Sequence, residues 1–304
     1  MTLLGSPIPD QRFPIPDSRS AIPRFPIPDK QVPDSRFKNM RFGTLSTLLL
    51  AACVRASSST SSSEVGGATI RAETQIATTE QLISAMHARY AGQWFKTLTF
   101  VQKNTQPRAS GTNDTTTWLE AIIVPGSLRI DFEPMAQRNG IIFRNDSQYV
   151  FQGGKVTQAI ARPHPLMLLG FDVYALPVDQ TLATLGQLGF DLTKMHADTW
   201  QGRPVYVVGA AAGDLRSTQF WVDREHLYFV RMLQPAQDTT RISETRFNKY
   251  QRLGGGWIAP EVEFLTDGKL SFLEEYTEIK VGVLLDSALF DPKRFGTVEH
   301  WKAK

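Results

Sequence analysis

The stretch Leu128-Arg-Ile-Asp-Phe-Glu133 alternates apolar and charged side chains with a period of two. This period is typical of a β-strand that turns one face to the core and the other outward. Leu98 and Phe100 alternate with Thr97 and Thr99 in the same way. Pairs of turn-forming residues separate such segments. The sequence therefore predicts antiparallel strands joined by short connections.

The same pattern extends along the chain in two blocks of strands. The first block is predicted at residues 115–124, 140–144, 148–152 and 155–159, with turns at Pro125-Gly126, Asn139-Gly140, Asn145-Asp146 and Gly153-Gly154. The second block is predicted at residues 203–210, 217–223, 227–233, 241–253, 257–265 and 269–281, with Asp267-Gly268 as its last turn.

Helices are predicted before, between and after the two blocks. The first begins at Thr78 or Thr79 and places apolar residues at helical spacing, namely Leu82, Ile83, Met86 and Tyr90. Residues 164–176 are apolar without alternation, residues 178–188 form a second helix, and a short helix ends at Pro292. The predicted fold class is α+β, with one strongly curved antiparallel sheet, an incomplete barrel, covered by helices.

An export signal is predicted at residues 40–52. Met40-Arg41 precedes a short apolar run, and Leu50-Ala-Ala-Cys53 ends it. This ending resembles the lipobox of bacterial lipoproteins, in which the cysteine is acylated and becomes the new N-terminus. Cys53 would then anchor the protein to the outer membrane facing the periplasm, because residue 54 is not the Asp of inner-membrane retention. Cleavage after Ala56 is the alternative and would release a soluble periplasmic protein.

Two further segments flank this signal. Residues 1–39 repeat a Pro-Ile-Pro-Asp phrase and hold eight of the 18 prolines, so they are expected to be disordered and to precede the true start at Met40. Residues 53–77 are predicted to be a serine-rich tether. After Ala52 the chain carries 26 basic and 26 acidic residues, so no positive surface for nucleic acid is expected.

Residues 78–301 resemble the lipoprotein-localisation (LolA/LolB-like) superfamily of periplasmic carriers and outer-membrane receptors. The likeness lies in residues 82–102, Phe220-Trp-Val-Asp-Arg224, Gly256-Trp-Ile-Ala-Pro-Glu-Val-Glu-Phe264 and Leu289-Phe-Asp-Pro292. The resemblance implies an apolar concave face that holds acyl chains, and it brings no catalytic residues. It also implies lipid or an acylated lipoprotein as the partner. An anchored Cys53 resembles the receptor branch or anchored paralogues of unassigned role.

The candidate ligand-binding residues are apolar side chains of the predicted strands and of the leucine- and methionine-rich segment 164–176, a type of surface that adapts to flexible chains. They are Leu98, Phe100, Ile130, Phe132, Leu166, Met167, Leu169, Phe171, Tyr174, Phe220 and Phe229. The alternative is that these residues simply fill the core, as in other small barrels.

Catalytic and metal-binding patterns are not apparent. The five histidines are scattered without paired spacing, so no metal and no cofactor is expected. Glu261, Glu263, Glu274 and Glu275 offer carboxylates for a hydrolase, although acidic residues on a strand are ordinarily solvated. The leading hypothesis is a non-enzymatic lipid binder. The rivals are a structural or sensory envelope module with a protein partner and, third, a hydrolase. The oligomeric state is not predicted.

Overall fold

The computed structural model describes residues 76–236 and 240–303, so the predictions for residues 1–75, including Cys53, lie outside the described part. The helices are α1 (Thr79–Tyr90), α2 (Pro165–Gly170) and α3 (Val178–Gln187). The strands are β1 (Thr97–Pro107), β2 (Asn113–Ile123), β3 (Ser127–Phe132), β4 (Asn139–Arg144), β5 (Ser147–Gln152), β6 (Lys155–Ala161), β7 (Met195–Trp200), β8 (Arg203–Val208), β9 (Gln219–Asp223), β10 (Phe229–Pro235), β11 (Ile242–Asn248), β12 (Gln251–Leu253), β13 (Gly256–Ile258), β14 (Glu261–Thr266) and β15 (Lys269–Val281).

Thirteen of the described strands form one antiparallel sheet. Its order is β6-β5-β4-β3-β2-β1-β15-β14-β11-β10-β9-β8-β7, and β12 pairs with β13 in a separate hairpin. Each block folds as a meander, and β1 joins them because it pairs with β2 on one side and β15 on the other. The sheet does not close into a barrel, which confirms the predicted α+β class with an incomplete barrel.

Helix α1 begins where the sequence predicted. The Thr78 side chain accepts a hydrogen bond from the Gln81 backbone, and the Gln81 side chain accepts one from the Thr78 backbone, which completes a capping box. Leu82, Ile83 and Met86 are fully buried in the main core between helix and sheet. The predicted apolar face of α1 is therefore confirmed.

The segment between the two meanders covers the same face of the sheet. Pro165 opens α2, where its missing N–H costs nothing, and a 3₁₀ turn at Asp172–Tyr174 follows. The Tyr174 ring stacks on Trp94 with the ring centroids 3.8 Å apart, and its hydroxyl accepts a hydrogen bond from the Phe229 backbone. The Tyr174 ring also lies edge-on to Tyr90 of α1, with centroids 5.3 Å apart, so the helical insertion is fixed to both α1 and the sheet.

The C-terminal segment packs on the opposite, outer face. Phe295 stacks on Phe151 of β5 with centroids 4.0 Å apart. Arg129 and Asp131, which alternate with the apolar residues of β3, point to this outer face and form a bidentate ion pair of 2.7 and 2.8 Å. Both are buried, because Arg129 also lies over the Phe295 ring and donates to the Leu289 carbonyl.

Three local predictions were wrong. Asn139-Gly140 is not a turn but the start of β4, because the preceding connection is completed by a 3₁₀ turn at Met135–Gln137. Strand β7 was not predicted, since this largely polar edge strand lacks alternation. The two long strands predicted at 241–253 and 257–265 are each divided, and β12 and β13 leave the main sheet as a hairpin.

Candidate functional site

Polar side chains interrupt the apolar concave face at one place. Along β1, Gln102 and Asn104 follow Leu98 and Phe100 at the same parity and therefore lie on the same face. The strand register sets Phe100 opposite Glu120 of β2 and Asn104 opposite Glu274 of β15. Two carboxyl groups thus flank β1 on the side that faces the helices.

A cavity of about 60 Å³ lies between this part of the sheet and α2. Apolar and aromatic side chains form most of its wall, and the polar members come from β1, β2, β15 and the residue before α2. The lining residues are Phe100, Gln102, Trp118, Glu120, Leu128, Ile130, Phe143, His164, Leu166, Met167, Phe171, Phe247, Val262, Phe264, Glu274 and Tyr276. The volume exceeds that of a single water site several-fold.

The two carboxyl groups differ in their partners. Glu274 accepts a hydrogen bond of 2.7 Å from the Tyr276 hydroxyl, whereas Glu120 makes no hydrogen bond to any residue that the structure describes. Glu120 and Glu274 are only 4% and 6% exposed. Burial raises the pKa of Glu274 to about 7, and burial together with the Glu274 charge raises the pKa of Glu120 well above its ordinary value.

The structure brings five of the eleven sequence-predicted residues together around this cavity: Phe100, Ile130, Leu166, Met167 and Phe171. Five others are packed into the core away from it, namely Leu98, Leu169, Tyr174, Phe220 and Phe229. Phe132 is half-buried beside Trp118, with ring centroids 4.7 Å apart.

Of the acidic and amide side chains in the wall, sequence reasoning named only Glu274, as a hydrolase candidate, and missed Gln102 and Glu120. The signal was the parity of the strands: Gln102, Glu120 and Glu274 each occupy an inward position, two residues from an inward aromatic side chain. Phe247, Val262 and Phe264 were missed because strands β11 and β14 reach the cavity only through the pairing order of the sheet.

The four glutamates of the hydrolase hypothesis do not converge. Glu261 pairs with Lys249, Glu263 lies 3.6 Å from Arg246, and Glu275 lies 3.2 Å from Lys103 on the outer side of β15. Only Glu274 lines the cavity, and its neighbour there is Glu120.

Two other spaces lie near this region. One, of about 40 Å³, contains Asp172, whose carboxylate accepts a 3.0 Å hydrogen bond from the Gly126 backbone and whose pKa burial raises to about 7. The other is a polar cleft of about 310 Å³ beside β8 and β11. Its buried carboxylate, Asp223, is already bound by Arg203 at 2.8 Å and by the His226 backbone.

Within residues 76–236 and 240–303, no group of three or more His, Cys, Asp or Glu side chains is placed to hold a metal ion. In the same residues, no helix combines the length and the apolar character needed to cross a membrane.

The fold and the cavity together define a class of protein: an open, curved antiparallel sheet whose concave face is covered by helices. No protein-family model and no curated protein matches the sequence. Solved structures do match. A DUF1329 family protein from Desulfovibrio piger is 13% identical, with a TM-score of 0.50 over 70% of this chain and 95% of that one.

A putative outer membrane lipoprotein-sorting protein domain from Vibrio parahaemolyticus is 10% identical, with a TM-score of 0.50 over 71% of this chain and 97% of that one. A LolA superfamily protein from Nitrosomonas europaea is 12% identical, covers 71% of this chain and 98% of that one, and has a TM-score of 0.44. The first two matches confirm the predicted resemblance at the level of the fold.

Proposed function

We propose that this protein binds the apolar chain of a lipid or of an acylated lipoprotein in the bacterial cell envelope, without catalysing a reaction. The observation that carries the proposal is the cavity between the concave face and α2, with its largely apolar wall. Ligand sites ordinarily combine such a wall with a few polar groups that orient the guest. The fold shared with a lipoprotein-sorting domain supports the same function.

The cavity is smaller than an acyl chain requires, so binding involves an outward movement of α2. This helix is six residues long. Its last four residues are buried, whereas its first residues, Pro165 and Leu166, are only half-buried, so the movement begins at this end. The half-buried end of an element opens at lower cost in free energy than its buried part. Met167 and Leu166 then offer flexible apolar side chains to the entering chain.

A brominated chain tests the proposal because bromine quenches tryptophan fluorescence at short range. Trp118 lines the cavity, and it is 4% exposed. We expect 12-bromododecanol to quench the wild-type protein saturably and the Trp118→Phe variant much less. The control is Trp200→Phe, which removes a tryptophan of the polar cleft. In this variant the bromine should still quench the fluorescence of Trp118. Absence of saturable quenching in the wild type would refute the proposal.

Membrane attachment through an acylated Cys53 is part of the proposal. The supporting observation is the sequence Leu50-Ala-Ala-Cys53, followed by the serine-rich segment that would serve as a tether. The attachment would hold the cavity in the periplasm beside the outer membrane.

A further inference from the structure

The polar residues at one end of the cavity indicate which head group a bound amphiphile has. Glu120 and Glu274 lie on the two strands that flank β1, and each is more than nine-tenths buried. Among the described residues that line this cavity there is no lysine or arginine. Two acidic groups therefore share an apolar site without a cationic partner in its wall.

Such an arrangement is unfavourable unless something compensates it. A buried carboxylate in its ionised form is unfavourable without hydrogen bonds or a counter-charge, and a second one nearby adds repulsion. Glu274 has partial compensation from the Tyr276 hydroxyl. Glu120 has none from the described residues, and its carboxyl faces the cavity.

The aromatic side chains near the two carboxyl groups also favour a cation over an anion. The Phe100 and Tyr276 rings lie 4.3 Å apart by their centroids, and Trp118 belongs to the same wall. The face of an aromatic ring attracts a cation through its quadrupole, and the attraction grows where water is excluded. An anionic head group would be repelled by the ionised carboxylates.

We propose that the cavity selects an amphiphile with a positively charged nitrogen, and that Glu120 and Glu274 bind this nitrogen while the apolar wall holds the chain. The inference rests on the proposed function, because the apolar chain occupies the same space. It adds the chemical class of the head group, an alkylammonium, to that function.

Binding should strengthen as the pH rises from 5 to 8, because the cation prefers ionised carboxylates. The pKa of Glu274 is raised to about 7 by burial, so this group loses its proton within the range. The other titratable groups of the wall are His164 and Tyr276. Burial and the nearby Arg162 charge lower the pKa of His164 to about 4, and burial raises the pKa of Tyr276, so both stay neutral from pH 5 to 8.

The experiment uses the 304-residue chain with Cys53→Ser. This substitution removes the predicted acylation site, so the protein is purified and measured without detergent. Calorimetry measures the binding of dodecylammonium chloride and sodium dodecanoate, each below its critical micelle concentration, and of dodecanol below its solubility limit. We expect dodecylammonium to bind about tenfold or more tightly than dodecanol at pH 8 and to release protons on binding.

Variants assign the effect to the two carboxyl groups. Glu120→Gln and Glu274→Gln keep the shape of the side chain, and each should weaken dodecylammonium binding about tenfold more than it changes dodecanol binding. The matched control is Glu275→Gln, next in the chain but on the outer side beside Lys103, and it should change neither affinity.

The outcomes separate the two proposals. If dodecanol or dodecanoate binds as tightly as dodecylammonium, the head-group inference is refuted while the proposed function stands. If dodecylammonium binds without a pH dependence and without an effect of either glutamine variant, the inference is refuted as well. If no probe binds at all, the proposed function fails together with it.

Discussion

Glu274 shows at the scale of one residue how the apolar cavity changes the chemistry of a carboxyl group. Its pKa is raised to about 7 by burial, against opposing hydrogen bonds from Tyr276 and Gln102. The folded state therefore holds this proton more tightly than the unfolded state. Stability is then highest below the unfolded pKa of 4.5 and falls as the pH rises toward about 7.

We predict that Glu274→Gln is more stable than the wild type at pH 8 and loses less stability between pH 5 and 8. The single-site effect is on the order of 3 kcal/mol, from the shift in pKa. Thermal unfolding across this pH range measures it. A smaller slope remains in the variant because burial also raises the pKa of Asp172 to about 7 and that of Glu120 well above its ordinary value.

Glu275→Gln serves as the control, since this side chain is 41% exposed and paired with Lys103. It should unfold like the wild type at every pH. Equal pH dependence of Glu274→Gln and the wild type would show that the Glu274 carboxyl is not buried as described.

A second prediction at this scale concerns the ion pair on the outer face. Arg129 and Asp131 have side chains 3% and 4% exposed, so Asp131→Ala leaves a buried guanidinium without its carboxylate. We expect a loss of about 3–5 kcal/mol in the free energy of unfolding, measured by chemical denaturation. Glu275→Ala breaks a surface pair and should cost at most about 1 kcal/mol. Similar losses in both variants would contradict this account of the outer face.

Strand β4 shows at the scale of the element why a local sequence signal can mislead. Asn-Gly ordinarily marks a hairpin turn, yet here Asn139-Gly140 begins a strand. A Cβ atom on Gly140 would lie 2.2 Å from the Ile130 carbonyl oxygen and 2.7 Å from the Phe295 ring. The glycine is required by the close approach of the β3 backbone and of the C-terminal segment.

We therefore predict that Gly140→Ala lowers the free energy of unfolding by about 2 kcal/mol or more, because neither the carbonyl nor the packed ring can move freely. The matched control is Gly186→Ala in α3, where nothing lies within 4 Å of the added atom. That change should stabilise the protein by about 0.5–1 kcal/mol. Chemical denaturation measures the free energy of unfolding of both variants. An unchanged value for Gly140→Ala would contradict the described packing.

The sequence predicted the elements well where local chemistry decides them. Alternation located most strands, and Thr78 located the beginning of α1, because period and capping depend only on near neighbours. Glu274 was named as a candidate carboxylate, but its neighbour Glu120 was missed, since the two meet only through the pairing of β1 with both neighbours. Whether α2 leaves a cavity depends on packing, which no local pattern encodes.

In the whole molecule, the proposed function combines a cavity for an apolar chain with a membrane anchor at Cys53. We predict that Cys53→Ser moves the protein from the membrane fraction to the soluble fraction of the cell envelope. Fractionation followed by immunoblotting measures this shift. Membrane attachment unchanged by the substitution would refute acylation of Cys53, and the cavity proposal would then stand without the anchor.

Lipid mass spectrometry of protein purified from native membranes tests whether the cavity under α2 holds an apolar chain. A cavity-filling variant, Leu166→Trp, places a large ring in the wall from α2. Leu270→Trp is the control, because Leu270 is 38% exposed and outside the cavity. We predict that wild type and Leu270→Trp retain a lipid in near-stoichiometric amount and that Leu166→Trp retains much less. Recovery of no lipid from the wild type, or equal recovery from all three proteins, would contradict the claim.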